Sequence, residues 1–238
     1  MTTTTPQRII ELWPALSEEA RKALTDIAES ATNQVSLLEL YTSEGCSSCP
    51  PAEAWFSKLK TEPRLWKDFV PLAFHVDYWD RLGWRDSFAS KEWTARQYQY
   101  AAGWKNDAVY TPGFAIDGRE SRGRTIPSSS TDKPGALKIR VANDKASAEF
   151  NPANGPAKDV DLHVALLGFD LNTKPTAGEN NGRNLHHDFV VLALVNEKMP
   201  NGRAETSLTA DSRAGAIAAW ITAPNQFEPI QAVGGWLH

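Results

Sequence analysis

The sequence predicts an α/β domain followed by an antiparallel β-sandwich-like domain, with a helical extension in front. Three observations predict this. Residues 34–120 alternate strand-like apolar runs with helix-like segments. Residues 137–238 carry several short alternating runs punctuated by Asn-Gly pairs. Residues 1–33 place apolar side chains at helical spacing. Between the two larger parts, residues 121–136 have the Ser, Pro and Gly content of a linker.

The elements follow in order. Over 6–31, Ile9, Ile10, Leu12 and Trp13 precede Pro14, Ser17 is a candidate N-cap ahead of Glu18 and Glu19, and Leu24, Ile27 and Ala28 recur at helical spacing. This amphipathic pair of helices would pack on the main body, or dock a partner or a second copy of the chain. Val35–Tyr41 reads as a strand, and Ala52–Leu59 as a helix with Trp55, Phe56 and Leu59 on one face. Phe69–Val76 is nearly all apolar, as suits a strand covered on both faces. Ser90–Ala102 reads as a helix, and Phe114–Asp117 with Gly118 as a short strand and turn. Beyond the linker, Leu137–Val141, Ala146–Phe150, Asp161–Leu167, Asp188–Val195 and Arg203–Leu208 are strand candidates, with turns at Asn154-Gly155, Asn181-Gly182 and Asn201-Gly202.

A chain of 238 residues, 41% apolar, can bury a sizeable core. Its formal charge of −4 and the lack of a basic stripe exclude nucleic acid as an expected partner. No window approaches the roughly 18 apolar residues of a membrane helix, so no membrane partner is expected. Residues 1–6 lack the basic and apolar pattern of a secretory signal, which predicts a cytoplasmic protein.

The chemistry concentrates in Thr42-Ser43-Glu44-Gly45-Cys46-Ser47-Ser48-Cys49-Pro50-Pro51. Both cysteines of the chain lie here. A strand, a tight turn carrying Cys-x-x-Cys and a helix start form the layout of a thiol–disulfide site. A free thiol has a pKa of about 8.5, and a helix amino end lowers it. Cys46 would be the nucleophile, stabilised by helix N–H groups, and Cys49 the resolving thiol one turn later. Glu44, two residues before Cys46, would oppose the thiolate. Pro50-Pro51 allows the helix to start near Ser47 or at Pro51.

Two further segments point to the same site. Thr111-Pro112 leads into the short strand, where a cis proline would face the Cys pair and Thr111 would present its backbone. His75-Val-Asp-Tyr-Trp-Asp80 and Leu82–Asp86 follow the buried strand. His75 is either a neutral buried histidine or, with Asp77, a proton acceptor near the thiols. Tyr78, Trp79 and Trp84 would wall a groove or fill the core.

These residues resemble a bacterial thioredoxin-like family catalogued as domain of unknown function 1223. The resemblance rests on Glu39–Glu53 around the cysteines, Ala73–Asp80, Leu82-Gly83-Trp84, Asp86-Ser87-Phe88, Arg96-Gln97 with Tyr100, Val109–Pro112, Asp117-Gly118-Arg119, and Gly178–His187 with Val190-Val191. It implies a thioredoxin-like domain followed by a β-rich one, with Cys46 and Cys49 as a redox pair. Two features depart from the family pattern: the helical extension replaces a secretion signal, and 121–136 reads as loop where relatives carry a helix. The polar run 178–187 is either a plain hairpin loop or a flap over the Cys pair. As a flap it would bring Glu179, Arg183 and His187 to the site, with Arg183 offsetting Glu44.

The expected function is thiol–disulfide exchange on a protein or small-molecule thiol or disulfide, with no cofactor and no resident metal. The alternatives are a soft-metal protein holding Cu(I) or Zn(II) with the Cys pair and His75 or His187, and a non-catalytic scaffold.

Overall fold

The computed structural model describes residues 26–30, 32–142, 144–209 and 211–237. In chain order its elements are β1 (Asp26–Glu29), β2 (Ser36–Thr42), α1 (Pro50–Ser57), β3 (Phe69–His75), α2 (Lys91–Gly103), β4 (Gly113–Ile116), β5 (Arg119–Ser121), β6 (Gly135–Ala142), β7 (Lys145–Pro152), β8 (Val160–Gly168), β9 (Leu171–Thr173), β10 (Leu185–His187), β11 (Val190–Met199), β12 (Arg203–Ser207), β13 (Ala214–Thr222) and β14 (Pro229–Trp236).

The dominant feature is one eight-stranded sheet in the order β14-β13-β8-β11-β3-β2-β4-β5. It runs through both parts that the sequence pattern separates. β2 and β3 pair in parallel from Ser36↔Phe69 to Thr42↔His75. β4 joins β2 antiparallel, opposing Gly113 to Tyr41. On the other side of β3 a single parallel pair, Val190↔Ala73, attaches β11, and β8, β13 and β14 continue antiparallel from there.

β2 and β3 are buried along their whole length because both faces are covered. Their side chains alternate in a strict period of two. Leu38 and Leu40 of β2 and Phe69 and Ala73 of β3 meet Ala52 and Phe56 of α1. Leu37 and Tyr41, with Val70, Leu72 and Phe74, meet Trp93 and Tyr100 of α2. That second cluster continues into Leu167, Ala218, Trp220 and Ala232, so the core does not stop at residues 121–136. A separate sheet, β1-β6-β7-β12, packs Leu137, Ile139 and Phe150 against Leu162, Val164, Leu166 and Ile221 of the large sheet. β9 and β10 form a two-stranded ribbon.

The predicted fold class is therefore corrected. The described residues are mostly β, with two α-helices, and strands from both sides of 121–136 share one sheet. This overturns a thioredoxin-like α/β domain with an appended sandwich. The local patterns identify strands well, but they do not say that β11 extends the sheet at β3. The helical reading of 6–31 is corrected as well: Asp26–Glu29 is a strand, paired antiparallel with β6 from Asp26↔Val141 to Glu29↔Lys138. Long-range hydrogen bonds to a ready sheet edge outweigh the helical spacing there. Residues 6–25 and 31, and the oligomer contact expected of them, lie outside the described residues.

Candidate functional site

The register brings four chain segments to one end of the large sheet. β2 and β3 both end there, at Thr42 and His75, β4 begins there at Gly113, and His187 precedes β11 there. The carboxyl end of a parallel strand pair is where such sheets place ligands. The turn leaving β2 carries Cys46 and Cys49, and α1 starts at Pro50. Cys49 is the N-cap, and the two prolines occupy the first turn, where their missing N–H groups cost little.

Both cysteines are free thiols and buried, Cys46 to 1% exposure. The Thr111–Pro112 peptide bond is cis. It turns the Thr111 carbonyl toward the pair, 3.7 Å from Cys46 Sγ. Ser48 Oγ lies 3.2 Å from the same sulfur. The Cys49 thiol donates to the Cys46 sulfur and is the largest influence on it. With help from Ser48 and Thr111 it outweighs burial and brings the Cys46 pKa down to about 6. Burial and the neighbouring Cys46 push the Cys49 thiol far up.

This differs from the expected source of acidity. Helix N–H groups do not supply it: Pro50 and Pro51 have none, and the Ala52 and Glu53 amides bond to the Cys49 carbonyl. Glu44 does not face the thiols either. Its carboxylate turns inward, accepting from Trp84 Nε1 and lying 3.5 Å from His187 Nε2.

The segment 178–187 folds over the Cys turn. Glu179 Oε2 accepts from the Ser47 amide at 2.9 Å and from the Ser47 hydroxyl at 2.7 Å. The buried Asn180 donates through Nδ2 to the carbonyls of Glu44 and Cys46, at 2.8 and 2.9 Å. Arg183 does not reach the thiols; it donates to Asn180 Oδ1 at 3.0 Å.

Trp79 walls the site. Its Nε1 donates to Thr111 Oγ1 at 2.8 Å, and its Cβ is so close to Gly45 that a Cβ there would meet it at 2.8 Å. Gln97 holds the other side, donating to the Tyr110 carbonyl at 2.7 Å and accepting from Tyr78. Asp77 is not near the thiols: its carboxylate accepts from Thr94 Oγ1 at 2.6 Å and pins the end of β3 to α2.

Beneath the turn lies a buried network of carboxylates and imidazoles. His75 Nδ1 pairs with Asp86 Oδ2 at 2.7 Å, and Asp86 Oδ2 also accepts the Glu44 amide at 2.9 Å. His187 Nδ1 bonds to Glu53, which also accepts from Thr42 Oγ1. Burial alone would lower the His187 pKa, but Glu44 and Glu53 outweigh it and lift it to about 10. Burial raises the Glu53 and Asp86 carboxyls, yet His187 and His75 leave them below their ordinary values. The two imidazole rings stand 5.1 Å apart.

Of the residues expected at the site, Cys46, Cys49, Thr111, Pro112 and Trp79 converge around the sulfurs. Glu44, His75 and His187 form the layer below, while Asp77 and Arg183 serve neighbouring contacts. Glu53, Asp86 and Asn180 are the ones the sequence reading did not assign. An acid in the first helical turn reads as a dipole partner, and one asparagine among several in a polar loop gives no signal of its burial.

The profile of the family described as "Protein of unknown function (DUF1223)" matches residues 37–221. A crystal structure of a protein from Agrobacterium tumefaciens is similar, with a TM-score of 0.61 at 24% identity, over 87% of this chain and 96% of that one. HBP35 of Porphyromonas gingivalis is similar with a TM-score of 0.56 at 14% identity, over 87% of this chain and 76% of that one. At these identities the likeness speaks to the fold alone. No curated protein matches the chain. Among the described residues, no helix is long and apolar enough to cross a membrane.

Proposed function

From the premise that the chain belongs to the family described as Protein of unknown function (DUF1223), we propose that it is a thiol–disulfide oxidoreductase working through Cys46 and Cys49. One observation carries this reading: two free thiols share a hydrogen bond beside the Thr111 carbonyl, and the sharing leaves Cys46 with a pKa of about 6. Near neutral pH Cys46 is then mostly thiolate, the nucleophilic form.

The exchange balances without a cofactor. The Cys46 thiolate attacks one sulfur of a substrate disulfide, forming a mixed disulfide and releasing the first substrate thiolate, which takes up a proton. Cys49 loses its proton and attacks Cys46 Sγ. That step closes the Cys46–Cys49 disulfide and releases the second substrate sulfur, which takes that proton. The substrate disulfide is reduced and the protein dithiol oxidised. Cys46 is 1% exposed, so substrate reaches it after the Ser48, Trp79 and Thr111 groups around the sulfur shift. A reducing compartment such as the cytoplasm suits a pair that starts as two thiols.

Holding a soft metal with the Cys pair and His75 or His187 has less support. Among the described residues, the three-residue clusters of potential metal ligands contain both histidines but neither cysteine.

The test mixes the reduced chain with a peptide disulfide and follows released thiol. One disulfide reduced per chain is expected, with Cys46→Ser inactive and Cys49→Ser arrested as a mixed disulfide on Cys46. No thiol release by the unaltered chain, or capture through Cys49 in the Cys46→Ser variant, overturns the proposal.

A further inference from the structure

The buried histidines lie outside the exchange chemistry, and their arrangement is more than a pair of satisfied core side chains requires. One ligand atom from each of Glu53, His75 and His187 lies within 4.8 Å of the others. All three residues are buried, and they come from different elements: α1, the end of β3, and β10.

His75 carries the second observation. Its Nδ1 is engaged by Asp86 at 2.7 Å, while its Nε2 is buried and, among the described residues, has no hydrogen-bond partner. A buried polar nitrogen without a partner costs free energy unless something occupies its lone pair. An imidazole held at one nitrogen by a carboxylate, with the other nitrogen bare, is the arrangement that orients histidine ligands in metal sites. Glu44 Oε1 is likewise buried without a hydrogen bond, 3.5 Å from His187. Three buried carboxylates, Glu44, Glu53 and Asp86, thus lie beside the two imidazoles. A divalent cation answers that excess of negative charge.

We propose that Glu53, His75 and His187 bind one divalent cation of the Zn(II) class beneath the Cys turn, linking β10 to α1 and β3. Two imidazoles and a carboxylate suit this ion, whereas Mg(II) and Ca(II) prefer all-oxygen sets. Asp86 acts as a positioning residue, fixing the His75 ring. The ion displaces the proton shared by Glu53 and His187, which is released to solvent, and both residues bond to the metal instead.

The experiment strips the full chain with a chelator and titrates it with zinc chloride or cobalt chloride. One ion per chain is expected, with a rise in melting temperature, since binding to the folded state alone stabilises it. The cobalt form should lack a thiolate charge-transfer band, and the Cys46→Ser/Cys49→Ser chain should bind as well as the unaltered one. His75→Gln should lose binding, and Asp86→Asn should weaken it about 10- to 100-fold. A stoichiometry near zero, a thiolate band, loss of binding in the double Cys variant, or undiminished binding in a folded His75→Gln chain overturns the proposal. If His75→Gln does not fold, the cobalt spectrum and the double Cys variant decide it.

Discussion

Ser47 donates two hydrogen bonds, from its amide and its hydroxyl, to one carboxylate oxygen of Glu179, although the two residues lie 132 positions apart. The contact fastens the distal loop onto the turn between the two cysteines. It also occupies the Ser47 amide.

Glu179→Gln removes the charge from this clamp. The Ser47 amide bond holds the Glu179 carboxyl below its ordinary value. A depressed carboxyl contributes stability above its unfolded pKa and loses it as pH falls through the folded one. Hydrogen exchange at the Ser47 amide should therefore quicken several-fold in the variant at neutral pH. The unaltered chain should approach the same rate only below its carboxylate range. An amide equally protected in both at neutral pH contradicts the clamp.

The acidity of Cys46 should be readable by alkylation across pH, with a midpoint near the value of about 6. Cys49→Ala removes the largest stabilising contact, so the midpoint should move up toward the free-thiol value of about 8.5. A midpoint that stays put in Cys49→Ala shows that the donor is elsewhere. The sign for stability follows. Cys46 is more acidic folded than unfolded, so the reduced chain gains stability as pH rises from about 6 to about 8.5. Cys49 is less acidic folded, so above about 8.5 it takes stability away.

Arg96 should be a costly charge to remove. Its Nε and Nη2 both donate to Glu39 Oε1, at 2.9 and 2.6 Å, and Nη2 also reaches Tyr100 Oη. Its guanidinium lies over the rings of Phe74, Tyr100 and Trp220. Arg96→Met leaves Glu39 buried and unpaired, which costs about 3–5 kcal/mol. A denaturant titration measures this, and Arg96→Met/Glu39→Gln should recover part of it. A loss below about 1 kcal/mol, the range of a surface pair, refutes the assignment.

Residues 34–120 expressed alone should not form a cooperative fold. Tyr41, Phe74 and Trp93 share their cluster with Leu167, Ala218 and Trp220. The fragment would also leave β3 as an open, nearly all-apolar edge, which invites aggregation. A sharp thermal transition in the isolated fragment would count against this.

Much of the site was legible because its chemistry is local. Cys46 and Cys49 lie three residues apart within one turn, and Thr111-Pro112 announces itself through its proline. The strand cores were legible through period and apolar content, as in Phe69–His75. What stayed hidden depends on pairing between distant segments. Nothing in the run around Val190 reveals that it meets Ala73, and nothing at Glu53 reveals His187. The four residues of β1 fell to the same cause: helical spacing described them, and the β6 edge claimed them.

The bond between the two thiols has a consequence for the order of events. Cys49 is kept protonated by burial and by the charge of the sulfur it serves. Once that sulfur is captured in a covalent adduct its charge is gone, and with it one restraint on Cys49. In the proposed exchange, the second thiol would thus be more acidic in the mixed disulfide than in the free dithiol, though burial still holds it up.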